Sequence, residues 1–166
     1  MHGGYAENLS ESGGYAMKHR KLLAVASAGG HWVQLNRMTP AFEGYQLHWV
    51  STAPGLAVKV QQGGFTAVRD ANMWDKPGLI VMAAQVAWRV LLFRPDVVVT
   101  TGAAPGFFAI LFGRLLGAKT IWIDSVANAD ELSLAGRKAR RWATHWLTQW
   151  PELARDNGPH YIGSIL

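Results

Sequence analysis

After residue 20 the chain alternates between two kinds of hydrophobic pattern. Short apolar runs, typical of strands buried in a parallel sheet, occupy residues 21–27, 45–51, 65–69, 96–101, 119–124, 144–149 and 161–165. Segments with helical spacing or helix-boundary residues lie between them, at 31–38, 54–62, 78–93, 107–117, 133–142 and 151–156. The pattern predicts an α/β fold with a Rossmann-like, doubly wound, mostly parallel sheet of about seven strands.

The predicted connections identify where a ligand should bind. In doubly wound sheets, ligands bind at the carboxyl ends of the strands, where loops lead into helix N-termini. Four loops meet that description, at residues 27–31, 101–106, 124–134 and 149–152. We also predict that 102–106 is a turn before the helix at 107, and that Gly63 and Gly64 form a helix C-cap.

The first 17 residues differ in character from the rest. They are rich in Gly, Ser and Tyr, and Glu7 and Glu11 are their charged side chains. They contain neither the basic nor the apolar region of a signal peptide. We interpret residues 1–17 as a disordered tail, or as sequence upstream of a natural start near Met17, and residues 18–166 as a single domain.

Composition restricts the function classes. Apolar residues make up 49% of the chain and charged residues 16%, which is enough for a packed core. The chain has no cysteine, so disulfide scaffolds, thiolate zinc sites and cysteine nucleophiles are excluded. The net charge of +5 favours an anionic partner. We do not expect nucleic acid to be that partner, because no nucleic-acid-binding motif is recognised.

Two apolar segments raise the question of a membrane. Residues 79–93 and 107–116 are shorter than the roughly 18 to 20 apolar residues that span a bilayer, and each contains an arginine. They are typical of helices buried in an α/β domain. Alternatively, one of them lies on a membrane surface with Arg89, Arg94 and Arg114 contacting lipid phosphates.

The first two ligand loops are rich in small residues. Gly29 and Gly30 would leave backbone N–H groups open at a helix N-terminus, or they simply form a tight turn. His31 follows in the first helical turn, where the helix dipole favours the neutral imidazole that a general base requires. An ordinary loop or capping histidine is the alternative. The second loop, TTGAAPG, would admit a ligand or let its helix pack on the sheet.

The third loop carries polar and basic residues. Asp124 directly follows a strand, where carboxylates commonly bind hydroxyl groups or accept protons, and Ser133 is a candidate helix cap. A cluster of Arg137, Lys138, Arg140 and Arg141 forms either a solvated face or a site for an anionic head group or diphosphate. The sequence has neither a D-x-D nor an H-E-x-x-H motif, so we expect no metal and no cofactor.

Five motif blocks together resemble a known family. In order they are ASAGGHWVQL, RPDVVVTTGAAPG, IDSVANADELSLAGR, QWPEL and YIGSIL, and they extend over residues 18–166. The chain resembles PssD-like polysaccharide-biosynthesis glycosyltransferase subunits. These are related to the acceptor-binding, membrane-anchoring subunit of the eukaryotic dolichol-linked UDP-GlcNAc transferase and are similar to glycosyltransferase family 28.

The resemblance implies a fold and a division of labour. It implies the N-terminal half of a GT-B enzyme, with a separate small subunit supplying the C-terminal half that binds the nucleotide sugar. This chain would bind a lipid-diphosphate-linked glycan on the cytoplasmic face of the inner membrane, as a peripheral protein in exopolysaccharide or cell-surface glycan synthesis. The reaction would be an inverting, metal-independent transfer from a UDP-sugar such as UDP-GlcNAc or UDP-glucuronate.

The resemblance also assigns residues. His31 or Asp124 would be the general base; Asp124 stands where relatives often have glutamate, and its side chain is one methylene shorter. The acceptor-contacting residues would be Ser27, Gly29, Gly30, Thr101, Gly102, Ser125 and Ser133. From the apolar segments and the basic cluster, and not from the resemblance, we expect contacts to phosphate or membrane by Arg89, Arg114, Arg137 and Arg140. The alternative function is a non-catalytic, membrane-docking scaffold that recruits a catalytic partner. A stand-alone hydrolase or reductase is disfavoured because the chain has neither a G-x-S-x-G elbow nor a dinucleotide fingerprint.

Overall fold

The sheet contains seven strands in the part of the chain that the computed structural model describes, residues 20–165. The strands are β1 (Lys21–Ala26), β2 (Gln46–Ser51), β3 (Gly64–Ala67), β4 (Val97–Thr100), β5 (Lys119–Ile123), β6 (His145–Thr148) and β7 (His160–Tyr161). Their order is β3-β2-β1-β4-β5-β6-β7, and every neighbouring pair is parallel. The predicted fold class is therefore confirmed. The expectations for residues 1–17 lie outside the described residues.

In the described part of the chain, four α-helices cover the sheet. They are α1 (Gly30–Arg37), α2 (Lys76–Phe93), α3 (Ala103–Leu115) and α4 (Leu134–Ala139), and short 3₁₀ helices occupy Thr39–Phe42, Pro54–Lys59 and Pro151–Leu153. Asp75 caps α2 by accepting a hydrogen bond from the backbone N–H of Gly78 at 2.9 Å. Pro77 near the start of α2 suits a position whose backbone N–H has no helical partner.

The core has two layers, one on each face of the sheet. On one face, Met82 and Val86 of α2 and Ile110 of α3 pack against alternate sheet residues such as Val98. On the other face, Trp32 and Leu35 of α1 pack with Phe42 and with the sheet residues of opposite parity. This alternation follows from the period of two along a strand, and burial on both faces explains why the strands are continuously apolar.

The structure differs from the sequence predictions at several boundaries. Residues 102–106 are not a separate turn, because α3 begins at Ala103. The segments at 54–62 and 151–156 contain the short 3₁₀ helices Pro54–Lys59 and Pro151–Leu153 in place of α-helices. Gly63 and Gly64 do not cap a helix; Gly64 begins β3, and the 3₁₀ helix ends at Lys59. The final strand is two residues long, so residues 162–165 leave the sheet.

Candidate functional site

The strand order places one loop pair at the centre of the sheet. The chain moves from β1 outward to β2 and β3, then returns to β4 beside β1 and continues outward the other way. The gap between β1 and β4 is thus the topological switch point, where open α/β sheets bind ligands at the carboxyl edge. The loops that leave this point are residues 27–31 and 101–106, two of the four that the sequence indicated.

Two reciprocal hydrogen bonds join these loops. The imidazole Nδ1 of His31 lies 2.8 Å from the carbonyl oxygen of Thr101. The hydroxyl of Thr101 in turn donates to the carbonyl oxygen of His31 at 2.7 Å. Thr101 is fully buried and His31 is half-buried. The start of α1 is therefore fixed to the end of β4.

The bond to Thr101 determines the tautomer of His31. A carbonyl oxygen can only accept, so Nδ1 carries the proton. In the neutral imidazole the other ring nitrogen, Nε2, then has a free lone pair. Among residues 20–165 no hydrogen-bond partner for Nε2 is present. The arrangement suits a group that accepts a proton from a ligand.

Gly102 makes room for this imidazole. A Cβ atom at Gly102 would lie 2.8 Å from Cε1 and 3.0 Å from Nδ1 of His31, closer than real side chains approach. The backbone of Gly102 also has φ of 125° and ψ of −164°, a region that is almost confined to glycine. Farther along α3, a Cβ on Gly106 would lie 2.0 Å from the Thr100 hydroxyl oxygen. The contact at Gly106 supports the packing alternative for the second loop, and the space that Gly102 leaves for His31 is a role that the sequence did not indicate.

The glycines of the first loop lie in the open. Gly29 has φ of 74°, and no atom of residues 20–165 would lie within 4 Å of a Cβ added to Gly29 or Gly30. Helix α1 begins after Gly29 with no side-chain cap. Ser27 is half-buried, and its hydroxyl donates to the neighbouring carbonyl of Ala28 at 3.3 Å. These residues leave backbone accessible beside His31, as the predicted acceptor contacts require.

Asp124 occupies a different environment from the one expected of a base. It is buried, and its Oδ1 accepts from the Ser133 hydroxyl at 2.6 Å. Its Oδ2 accepts from the Ser133 backbone N–H at 2.8 Å. The indole of Trp122 lies 3.4 Å from Oδ1. Because both carboxylate oxygens have protein donors, the geometry favours Asp124 as a group that positions the start of α4.

Ser133 is the N-cap of α4, as the sequence indicated. Its hydroxyl oxygen accepts from the backbone N–H of Gly136 at 2.9 Å while donating to Asp124. The hydroxyl is thus occupied on both sides. An acceptor contact by Ser133, which the sequence analysis predicted, would require that cap to rearrange.

A buried amide network lies beside the switch point, and the sequence analysis did not assign its two glutamines. The Oε1 atom of Gln34 in α1 accepts from the side-chain amide of Gln149 at 2.6 Å and from the Val126 backbone N–H at 3.1 Å. Its Nε2 donates to the Ser125 hydroxyl at 3.0 Å. Gln149 also donates to the Asp124 carbonyl at 2.9 Å and accepts from the Ile165 N–H at 2.8 Å.

This network joins four separate segments of the chain: α1, the loop after β5, the end of β6 and residue 165. Ser125 is part of the network and is buried, so its hydroxyl is not presented openly to a ligand. A sequence signal did exist, since Gln34 is one helical turn after Gly30 and Gln149 begins one of the four indicated loops. Spacing alone could not show that the two amides meet.

The basic cluster on α4 divides between two surfaces. Arg137 forms an ion pair of 2.9 Å with Glu131. The guanidinium of Arg140 lies 5.7 Å from the centre of the Trp146 ring. Both line a cavity of about 500 Å³ next to Arg155, whereas Lys138 lines a different cavity beside α3. Lys138 therefore lines a different surface from Arg137 and Arg140.

Helix α2 carries an exposed apolar face. Ile80 is 70% exposed and Trp88 63% exposed, and Leu91 and Leu92 lie on the same side. We call these four residues the α2 face. The helix begins earlier than predicted and, at 18 residues, is long and apolar enough to cross a membrane by length and composition, a test that core helices also pass. Its opposite side packs in the core.

The arginines predicted to contact lipid differ in exposure. Arg114, in the last turn of α3, is exposed. Arg89 is half-buried, and its Nε atom is enclosed without a hydrogen-bond partner. Burial, assisted by the positive charge of Arg89, lowers the pKa of His48 to about 4. Arg114 is thus freely placed for an anionic surface, whereas Arg89 lies against the protein.

Within residues 20–165, no group of three or more His, Asp or Glu side chains could hold a metal ion. The expectation that the protein needs no metal or cofactor stays a prediction.

Comparisons with known proteins give two kinds of similarity, and no family model matches the chain. The UDP-N-acetylglucosamine transferase subunit ALG14 of Eremothecium gossypii is 32% identical over 91 residues, which cover 51% of this chain and 41% of the relative. The subunit alg14 of Schizosaccharomyces pombe is 34% identical over 77 residues, covering 43% and 37%. Each match thus spans less than half of the curated relative.

Solved structures show the fold. MurG of Acinetobacter baumannii matches with a TM-score of 0.70 at 15% identity, over 87% of this chain and 45% of that one. The UDP-GlcNAc 2-epimerase of Neisseria meningitidis, bound to UDP-GlcNAc, matches with a TM-score of 0.60 at 12% identity, over 80% and 41%. Transferases and epimerases share this architecture, so the fold alone does not choose between them. The chain has the Rossmann-like fold found in the N-terminal domains of GT-B glycosyltransferases such as MurG.

Proposed function

We propose that this chain is the acceptor-binding subunit of a two-component glycosyltransferase. A separate subunit with the C-terminal half of a GT-B fold would bind the UDP-sugar, and this chain would bind a lipid-diphosphate-linked glycan. The sequence similarity to two ALG14 subunits, named as parts of a UDP-N-acetylglucosamine transferase, supports a transferase over an epimerase. We further propose that the setting is synthesis of an exopolysaccharide or another cell-surface glycan.

One observation carries the proposal: at the switch point, the bond to Thr101 holds His31 with Nδ1 protonated and Nε2 unpartnered. Next to it are the open backbone of Gly29 and Gly30 and the start of α3. An acceptor hydroxyl that reached Nε2 would find a base already in the correct tautomer. A positioned general base typically contributes about 10²–10⁴-fold to rate.

The proposed chemistry balances without a metal. Nε2 of His31 takes the proton of the acceptor hydroxyl as its oxygen attacks the anomeric carbon of the donor sugar. The oxygen attacks from the face opposite the diphosphate, whose bond to that carbon breaks as UDP leaves with the electron pair. This single displacement inverts the configuration at the sugar carbon. The carbonyl of Thr101 stabilises the imidazolium that forms, because the Nδ1–H bond strengthens when the ring becomes positive.

The test is sugar transfer by the reconstituted pair of subunits. We expect His31→Ala to lower kcat at least about 100-fold, and His145→Ala, at an exposed strand position, to leave kcat unchanged. We expect Asp124→Asn to lower thermal stability more than kcat, because Asn keeps the shape but loses a charged acceptor for Ser133. A His31→Ala enzyme within about threefold of wild type would remove the base role.

We also propose that the chain docks peripherally on the cytoplasmic face of the inner membrane through the α2 face, with Arg114 near lipid phosphates. Burial of exposed aromatic and aliphatic residues at the interface, with cations beside anionic lipid, is a general binding mode. We expect Trp88→Asp and Arg114→Glu each to reduce sedimentation with vesicles containing anionic lipid. Equal binding to neutral and anionic vesicles would contradict the role of Arg114.

A scaffold without catalytic residues is the second candidate. The α2 face suits it, because a docking surface alone would recruit a catalytic partner to the membrane. The His31→Ala measurement separates the two, since a scaffold would keep full transfer activity in the complex.

A further inference from the structure

An apolar groove lies next to the loop that carries Gly102. It has a volume of about 440 Å³, within the range of small-molecule sites. Four segments form its walls: the loop before α2, the start of α2, the start of α3, and α4. Its larger lining side chains are Met73, Leu79, Phe107, Phe108, Leu134 and Lys138, and the remainder are Asn72 and four alanines.

The walls expose apolar surface that the fold does not cover. Met73 in the loop before α2 is 59% exposed, and Leu134 in α4 is 42% exposed. Phe107 and Phe108 also line the groove, with their rings edge to face and 5.6 Å apart. Contiguous exposed apolar surface of this kind marks an interaction site.

The groove combines its apolar walls with a positive charge. Lys138 is the one charged residue among the described residues that line it. Arg137 and Arg140 of the same helix line the separate cavity beside Arg155. An apolar groove with one cation is complementary to an apolar chain that ends in an anionic group.

The groove connects two surfaces already described. Ala103 and Ala104 line it, and Ala103 directly follows Gly102, on which the His31 ring rests. Leu79 of α2 also lines the groove, and its chain neighbour Ile80 belongs to the α2 face. A lipid leaving a membrane at the α2 face would therefore reach the His31 loop through this groove.

We propose that the groove binds the polyprenyl chain of the lipid-diphosphate-linked acceptor at the isoprene units nearest the diphosphate, with Lys138 pairing with a phosphate. This inference rests on the proposed function. Residues 1–19 are an unsuitable occupant, because they contain no apolar run. The alternative occupant is an apolar helix of the partner subunit, and binding of lipid probes to the isolated chain distinguishes the two.

The test uses the full chain without a partner, sugar donor or membrane. The probes are geranylgeranyl diphosphate, isopentenyl diphosphate and inorganic diphosphate, with binding measured calorimetrically below the micelle concentration. We expect geranylgeranyl diphosphate to bind at least tenfold more tightly than either of the others. A diazirine-bearing geranylgeranyl diphosphate should crosslink to peptides containing Met73, Phe107–Phe108 or Leu134.

Substitutions then assign the binding to the groove. We expect Met73→Asp and Leu134→Asp each to weaken the binding of geranylgeranyl diphosphate at least tenfold. Both residues are exposed, so both positions tolerate a polar side chain. Val58→Asp, at an 89% exposed residue away from the groove, is the matched control and should bind as wild type. Lys138→Ala should weaken the binding of geranylgeranyl diphosphate but not the binding of geranylgeraniol, which has no phosphate.

Three results would overturn the inference. They are equal affinity for all three probes, crosslinks confined to Trp88, Leu91 and Leu92 of the α2 face, or unchanged affinity in both aspartate variants. If the complex transfers sugar to lipid-linked acceptors but the isolated chain fails these binding tests, lipid binding by the groove is refuted and the proposed function is not. If the isolated chain binds geranylgeranyl diphosphate but the complex transfers no sugar, the proposed function is refuted and lipid binding by the groove is not.

Discussion

Substitution of Gly102 by alanine tests whether the absence of a side chain at this position allows the His31 imidazole to reach the Thr101 carbonyl. The added Cβ would lie 2.8 Å from Cε1 of His31, so the ring must retreat by about 0.6 Å to reach ordinary contact. That movement weakens the 2.8 Å bond between Nδ1 and the Thr101 carbonyl. Losing this bond costs about 0.5–1.5 kcal/mol, and alanine in the backbone conformation of Gly102 costs a further 1–3 kcal/mol or so.

Gly163→Ala is the control for the backbone cost, because the φ of Gly163, 132°, is close to the 125° of Gly102. A Cβ on Gly163 would meet no atom of the described residues within 4 Å. We therefore expect both variants to lose stability, with Gly102→Ala losing about 1 kcal/mol more, or roughly 2–4 °C in Tm for a chain of this size.

The decisive assay is nitrogen NMR of the His31 imidazole. In wild type we expect the tautomer with the proton on Nδ1, since that nitrogen faces a carbonyl. In Gly102→Ala the population with the proton on Nε2 should rise, and transfer by the reconstituted pair should fall about 100-fold, since misplacement of a catalytic group by about 1 Å costs that much. An unchanged tautomer, with stability no lower than in Gly163→Ala, would refute the role of Gly102.

Two further predictions concern stability. Gln34→Leu should lower the free energy of unfolding, measured by urea titration, by about 1–3 kcal/mol, because it leaves the Gln149 amide and the Val126 N–H without their acceptor. Gln61→Leu, at an exposed site, is the control and should have little effect on the same free energy. Because burial holds the pKa of His48 near 4, the unfolded chain binds more protons than the folded chain between pH 6.5 and about 4. Stability should therefore fall as pH falls through that window. The fall should be smaller in His48→Gln, and an identical pH profile in that variant would contradict the assignment.

Much of the fold was predictable because its signals are local. Each buried parallel strand is a short apolar run between turn residues, and the run at Asp96–Thr101 is an example. Helix boundaries were less predictable where two local signals compete. The GAAPG sequence is typical of a turn, yet α3 begins at Ala103, because Gly102 and Ala103, with φ of 125° and 66°, make the turn between them. Gly106 then lets the helix lie close on β4.

The candidate site was predictable in part for the same reason. The sequence indicated the loops at 27–31 and 101–106 from strand ends and small residues, and they meet at the switch point. It did not indicate Gln34 or Gln149, whose amides lie 2.6 Å apart although 115 residues separate them along the chain. Nor did it show that Asp124 and Ser133 satisfy each other, since a carboxylate after a strand is equally typical of a ligand contact.

The sequence by itself determined the α/β class, the parallel strands and the identity of His31 and its glycine neighbours, because these depend on period, turn chemistry and local composition. Only the tertiary structure decided which nitrogen of His31 carries the proton and which cations share a surface. It also decided that the Asp124 carboxylate is hydrogen-bonded by Ser133. Those properties depend on distances between segments far apart in the chain. Hydrogen bonds and close contacts act over a few ångströms, and folding alone brings such segments within that range.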